Sequence, residues 1–71
     1  MKSYYNLNGN SSIVAYEYGS DYIRVQFSDG AVYLYTYQTA GRTNIEHMKE
    51  LADKGHGLCS FIQRYARKLY A

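Results

Sequence analysis

Two runs of alternating side chains meet at Asp29-Gly30 and predict a β-hairpin. Residues 22–28 (YIRVQFS) alternate apolar and polar side chains, and residues 31–37 (AVYLYTY) carry a tyrosine at every second position. Asp-Gly is a strong hairpin signal, because glycine accepts the positive φ that tight turns require. Alternate residues of a strand share one face, so the sequence predicts a single column formed by Tyr33, Tyr35 and Tyr37.

The length of the turn decides which way this column points. A two-residue turn pairs Phe27 with Val32 and places the tyrosines beside Arg24, on the side away from the aliphatic core. A three-residue turn with a bulge at Gly30 pairs Phe27 with Ala31 and places the rings in the core. A shift of one residue exchanges the two faces completely, and this sequence is compatible with both turns. The functional hypothesis below depends on the outward arrangement.

A third predicted strand precedes the hairpin. Residues 12–18 are rich in β-branched and aromatic side chains and end at a Gly-Ser-Asp turn signal at 19–21. The short connections predict a three-stranded antiparallel meander. Residues 1–10, rich in Asn, Gly and Tyr, are expected to form either a loose arm or a short edge strand. Residues 11–71 are expected to form one domain, because a chain of 71 residues is near the lower size limit for a single core.

Two helices are predicted after the meander. Thr43 and Glu46 have the spacing of a capping box, and Gly55 is the expected end of this helix. Gly57 begins a second helix, whose predicted apolar side consists of Leu58, Phe61, Ile62, Tyr65 and Leu69. The order β-β-β-α-α predicts an α+β domain with both helices packed on one face of the sheet.

The start of the chain and its single cysteine indicate the compartment. One cysteine excludes an intrachain disulfide, and the first residues lack the apolar run of a secretory signal. No stretch approaches the roughly 18 apolar residues of a membrane span. We therefore expect a cytoplasmic protein that makes no membrane contact.

The positive charge is concentrated at one end. The chain carries a formal charge of +2, and residues 58–71 contain three cations and no acid, whereas the remainder holds five basic and six acidic residues. Cations hold phosphates and tyrosine rings stack on unpaired bases. This pattern predicts a non-catalytic module that binds RNA or single-stranded nucleic acid, with the site formed by Arg24, Tyr33, Tyr35, Tyr37, Arg64, Arg67 and Lys68. Because tyrosine and arginine are also enriched at protein interfaces, the alternative is a protein-interaction or homodimerisation module.

Catalytic and metal chemistry have little support in the sequence. His47, His56 and Cys59 are the groups suited to nucleophilic or metal chemistry, but a structural zinc site takes four protein ligands and a catalytic one takes three. The carboxylates of the first helix indicate a solvated face rather than an acid–base pair. We therefore expect no enzyme activity, no metal and no cofactor.

The hairpin FSDGAVYLY at residues 27–35 resembles the KTSC domain family, which is marked by a central Tyr-x-Tyr. Ser12-Ile13, the Lys54-Gly55 step and Ile62 before a basic, aromatic tail extend the resemblance over nearly the whole chain. The chain departs from the family in lacking a proline soon after Tyr-x-Tyr and in having Cys59 where a polar residue is expected. The resemblance implies a short bacterial or phage domain, found alone or at the C-terminus of some lysine-tRNA synthetases, with RNA as the expected ligand.

Overall fold

The computed structural model describes residues 1–5 and 12–71. One antiparallel sheet contains, in spatial and chain order, β1 (Lys2–Ser3), β2 (Ile13–Tyr18), β3 (Tyr22–Phe27) and β4 (Val32–Thr36). The helices that follow are α1 (Tyr37–Ala40), α2 (Arg42–Lys54) and α3 (Leu58–Phe61), and α3 continues into a π-helical segment (Ile62–Ala66). We call residues 58–66 the C-terminal helix.

The predicted α+β class with an antiparallel sheet and helices is confirmed, but the predictions of three strands and of two helices are wrong, since residues 1–5 and 12–71 contain four strands and three α-helices. The additional strand is β1, in which Lys2 pairs with Tyr16 and Ser3 pairs with Ala15. The Tyr4 amide continues this pairing by donating to the Val14 carbonyl at 2.9 Å. A strand of two residues is too short to produce an alternating pattern, so the sequence indicates it only as the short edge strand that is one of the two alternatives for residues 1–10. Residues 6–10 of the predicted N-terminal arm lie outside the described residues.

The turn between β3 and β4 contains three residues. The Phe27 amide donates to the Ala31 carbonyl at 2.8 Å, and Gly30 adopts a φ of +92°. The Asp29 carboxylate accepts a hydrogen bond from the Ala31 amide at 2.9 Å, which replaces a backbone acceptor inside the turn. The side chain of Asp29 and the freedom of Gly30 together stabilise the longer turn.

This turn places the tyrosines of β4 on the core face. Val25 lies opposite Tyr33 and Ile23 lies opposite Tyr35. Tyr37 belongs to α1 rather than to β4, so the three rings do not form one continuous column. The interpretation that an aromatic face points outward, away from the helices, is therefore wrong.

The helices cover the face of the sheet to which Ile23 and Val25 belong. The buried core combines sheet residues with residues of α2 and of the C-terminal helix, and its most deeply buried helical members are Ile45, Met48, Ala52, Leu58 and Ala66. The helices therefore form one layer against the sheet, as predicted for this class.

The ends of the helices agree only in part with the sequence pattern. Gly55 ends α2 in the left-handed region at a φ of +83°, and Gly57 begins the C-terminal helix, as predicted. The predicted capping box at Thr43 is wrong, because α2 begins at Arg42 without a side-chain cap. The capping box lies earlier, where Thr36 and Thr39 cap α1.

Candidate nucleic-acid interface

Tyr35, the centre of the predicted tyrosine column, is a core residue. Its side chain is 1% exposed, and burial raises the pKa of its hydroxyl to about 12. A ring enclosed in this way cannot stack on a base. The prediction that Tyr35 contacts a ligand is therefore wrong.

Tyr37 and Arg24 are already engaged by carboxylates. The Tyr37 hydroxyl donates to Glu46, and this hydrogen bond raises the pKa of the phenol. Arg24 donates to Glu17 at 2.7 Å, and strand alternation places it on the face of the sheet opposite the helices. The structure therefore does not bring Arg24 together with Arg64, Arg67 and Lys68.

Asp53 of α2 anchors two tyrosines of β2, and we call these three residues the Asp53 network. The hydroxyls of Tyr16 and Tyr18 donate to its two carboxylate oxygens at 2.8 and 2.7 Å. These hydrogen bonds lower the pKa of Asp53, while burial and the same carboxylate raise the pKa of Tyr16 to about 12. The two rings stack with centroids 6.1 Å apart.

The sequence did not predict this network, because the tyrosines precede Asp53 by 37 and 35 residues. The alternation of β2 does indicate that Tyr16 and Tyr18 share a face, and a buried phenol needs a hydrogen-bond partner. That requirement is the only signal in the sequence, and it does not identify the partner. The network packs α2 against the sheet and leaves both hydroxyls occupied.

Two other tyrosines form an exposed pair beside the end of the chain. The rings of Tyr33 and Tyr70 lie 5.0 Å apart and are 37% and 46% exposed. Phe27 packs edge-on against Tyr33 at 5.5 Å, and Tyr35 lies 6.4 Å from Tyr70. A backbone bridge between Tyr70 and Tyr35 holds the end of the chain along β4. The pair therefore rests on a fixed aromatic base while its own rings stay open to solvent.

Three cations precede Tyr70. Arg64 belongs to the π-helical segment. Arg67 and Lys68 lie in the turn after it, which brings the chain back alongside β4 at Tyr70. All three are exposed, and no acidic side chain among residues 1–5 and 12–71 forms an ion pair with them. We call Tyr33, Tyr70 and these three cations the C-terminal surface.

A second group of rings crosses from α2 to the C-terminal helix. Tyr65 packs against Phe61 at 5.2 Å and Phe61 against His47 at 4.8 Å. Tyr65 was predicted on the apolar side of the helix, yet it is 63% exposed, so this prediction is wrong. Residues 62–66 are π-helical, with more residues per turn than the α-helical spacing used for the prediction. We call His47, Phe61 and Tyr65 the outer ring row.

The groups considered for metal or thiol chemistry remain dispersed. Within residues 1–5 and 12–71, no three side chains of His, Cys, Asp or Glu are placed to hold a metal ion. Cys59 is half-buried, and its sulfur accepts from the Gln63 amide at 3.6 Å. His56 is exposed in the loop between the two glycines that separate α2 from the C-terminal helix.

An open cleft of about 440 Å³ lies beside β1 and is lined by Met1, Lys2, Tyr16, Glu17 and Tyr18. Its phenols donate to Asp53, and Glu17 accepts from Arg24. Apart from Lys2, the polar side chains of this cleft are therefore already paired.

Comparisons with protein-family models, with curated proteins and with solved structures find no match to this chain. In the part of the chain that the structure describes, no helix is long and apolar enough to cross a bilayer. The similarity to the KTSC domain therefore stays a prediction, and the candidate site rests on geometry and charge alone.

Proposed function

We propose that this protein is a non-catalytic module that binds RNA or other single-stranded nucleic acid through the C-terminal surface. The observation that carries the proposal is the exposed Tyr33–Tyr70 ring pair, together with three cations that precede Tyr70 in the chain and have no acidic partner among the described residues. Exposed rings offer faces to unpaired bases, and free cations hold the phosphates between them.

The proposed site differs from the sequence hypothesis in its aromatic part. The three cations are retained, Tyr33 remains, and Tyr70 replaces Tyr35 and Tyr37. Arg24 is not included, because it lies on the opposite face of the sheet and already binds Glu17.

Salt dependence tests the proposal. Three phosphate contacts on a single strand predict a log–log slope of affinity against salt of roughly −2, at about −0.7 for each contact. Fluorescence anisotropy of a labelled mixed-sequence RNA, titrated at about 50 and 200 mM salt, measures this slope. A DNA strand of the same sequence tests whether the 2′-hydroxyl contributes.

A pair of charge variants makes the test local. In the first variant Arg64, Arg67 and Lys68 are changed to Gln, and in the second Lys2, Arg42 and Lys54 are changed to Gln. Both lose three exposed cations, so a non-specific effect of net charge would weaken them equally. We expect only the first to lose the salt dependence. No binding by the unaltered protein at low salt, or equal losses in both variants, would contradict the proposal.

The alternative function, a protein-interaction or homodimerisation module, draws on the same exposed tyrosines and arginines. Light scattering distinguishes this alternative from nucleic-acid binding. A stable dimer that forms without nucleic acid, and that the first charge variant abolishes, would favour the alternative.

A further inference from the structure

The outer ring row leaves a large apolar surface open beside positive charge. Tyr65 is 63% exposed, although its ring packs on Phe61 and thereby on His47. Arg64 precedes Tyr65 in the π-helical segment, and Lys68 follows it by three residues. The row therefore combines the same two elements as the C-terminal surface, exposed rings and cations that have no acidic partner in residues 1–5 and 12–71.

The two aromatic groups are joined by a short stretch of chain. Tyr65 and Tyr70 are five residues apart, and the chain between them contains Arg67 and Lys68. Even fully extended, five residues span at most about 17 Å. Residues 65 and 66 are π-helical and residues 67 and 68 form a turn, so the actual span lies below this bound. At a rise of about 3.4 Å per nucleotide in one stacked strand, the bound corresponds to at most about five nucleotides.

We infer that the outer ring row is a second stacking site for the same nucleic-acid strand. The strand contacts Tyr70 and Tyr33 at one end of the path and Tyr65 at the other. Arg67 and Lys68 hold the phosphates between them, and Arg64 holds a phosphate beside Tyr65. This inference rests on the proposed function and adds a footprint of at most about five nucleotides, at the lower end of the roughly 4–16 nucleotides found for other single-strand binders.

The arrangement favours single strands over duplexes. Bases become available to protein rings only where they are unpaired. A strand that contacts both ring sites gains affinity because its second contact is intramolecular. Affinity should therefore rise steeply as the strand becomes long enough to reach both sites, and then level off.

The experiment is a length series with ring variants. Labelled RNAs of about three, six and ten nucleotides, lengths that bracket the footprint, are titrated with the unaltered protein and with Tyr65→Ala, Tyr65→Phe and Tyr5→Ala. Tyr5→Ala is the matched control, since Tyr5 is an exposed tyrosine outside both ring sites. Thermal melts of each variant verify that the fold is intact, and Tyr65→Phe retains the ring if the alanine variant is less stable.

We expect Tyr65→Ala to weaken binding of the longer RNAs by roughly tenfold, the equivalent of one lost stacking contact, and to remove most of the gain from length. Tyr65→Phe should restore that gain, and Tyr5→Ala should behave like the unaltered protein. If Tyr65→Ala binds RNA of every length as tightly as the unaltered protein does, the second stacking site is overturned and the proposed function is left intact. Absence of binding by the unaltered protein at every length would overturn both.

Discussion

The tyrosines between the sheet and α2 differ from those near the end of the chain in what their hydroxyls and rings contact. Tyr16 and Tyr18 donate to Asp53, and Tyr35 is enclosed in the core. Tyr65 and Tyr70 keep about half of their surface exposed and contact other rings. One residue type therefore serves as core and as surface in the same small domain.

This difference shows that the number of tyrosines does not by itself indicate a binding face. This chain has no tryptophan and only two phenylalanines, so most of its aromatic side chains are tyrosines. Burial is possible because the hydroxyl reaches a carboxylate or the edge of the core. The tyrosines that we propose for ligand contact are exposed ones near cations that have no acidic partner among the described residues.

Tyr35→Ala should have the largest effect on stability. Truncating a fully buried ring creates a cavity and lowers the free energy of unfolding by about 3–5 kcal/mol, whereas Tyr65→Ala should change it by less than about 0.5–1 kcal/mol. Denaturant unfolding measures both values. Equal stability of the two variants would show that the division between core and surface tyrosines is incorrect.

Alkaline pH should unfold the protein by ionising the buried tyrosines Tyr16 and Tyr35. Their pKa rises from 10.0 to about 12 in Tyr16 and Tyr35, so the folded state favours the protonated phenol. The resulting stability is complete below pH 10 and is lost as the pH rises toward about 12. Circular dichroism during an alkaline titration follows the loss. Tyr35→Phe removes one ionisable group and should move the unfolding midpoint to higher pH; an unchanged midpoint would argue against ionisation of Tyr35.

Removing the carboxylate of Asp53 should have a moderate effect. Asp53→Ala breaks two hydrogen bonds to a charged but exposed group, and we expect a loss of about 1 kcal/mol at neutral pH. The hydrogen bonds lower the pKa of Asp53 below its ordinary 3.8. Its contribution is therefore present above pH 4 and disappears as the pH falls through the lowered value. Glu50→Ala, on the same helix but without a tyrosine partner among the described residues, is the matched control. If Asp53→Ala remains less stable than the unaltered protein at pH values where the Asp53 carboxyl is protonated, the stabilising role of the Asp53 network would be contradicted.

The smallest expected effect is on the salt slope of RNA binding, compared between variants of two arginines. Arg67→Gln should reduce the salt slope of RNA binding by about 0.7, the loss of one phosphate contact, without changing the melting temperature. Arg24→Gln should leave the slope unchanged, because Arg24 lies on the opposite face and is paired with Glu17. Anisotropy titrations at several salt concentrations measure both. Equal slopes in the two variants would remove the argument for a localised site.

Much of the fold follows from the sequence, because alternation and glycine positions are local signals. The strands β2 to β4 and the glycine ends of the helices are examples. The direction of Tyr35 does not follow, since turns of two and three residues both accept Asp29-Gly30 and differ by a single step of register. The hydrogen bond from Ala31 to the Asp29 side chain accompanies the longer turn.

The candidate site is predictable in its charges and in Tyr33, but not in its other rings. Arg64, Arg67 and Lys68 are recognisable as a basic segment without an acid, and they remain exposed. Tyr70 was not predicted as part of the site, because its place beside Tyr33 depends on the return of the chain along β4. The exposure of Tyr65 likewise depends on a π-helical segment, which α-helical periodicity does not reveal.

The most direct test of the central claim is a nuclear magnetic resonance titration of the isotope-labelled protein with an unpaired RNA strand. We predict that the resonances which move belong to Tyr33 and to residues 64–71, which include Tyr65. Those of Tyr16, Tyr18 and Asp53 should stay in place. Spectra that do not change at saturating RNA, or changes centred on the Asp53 network, would contradict the assignment of binding to the C-terminal surface.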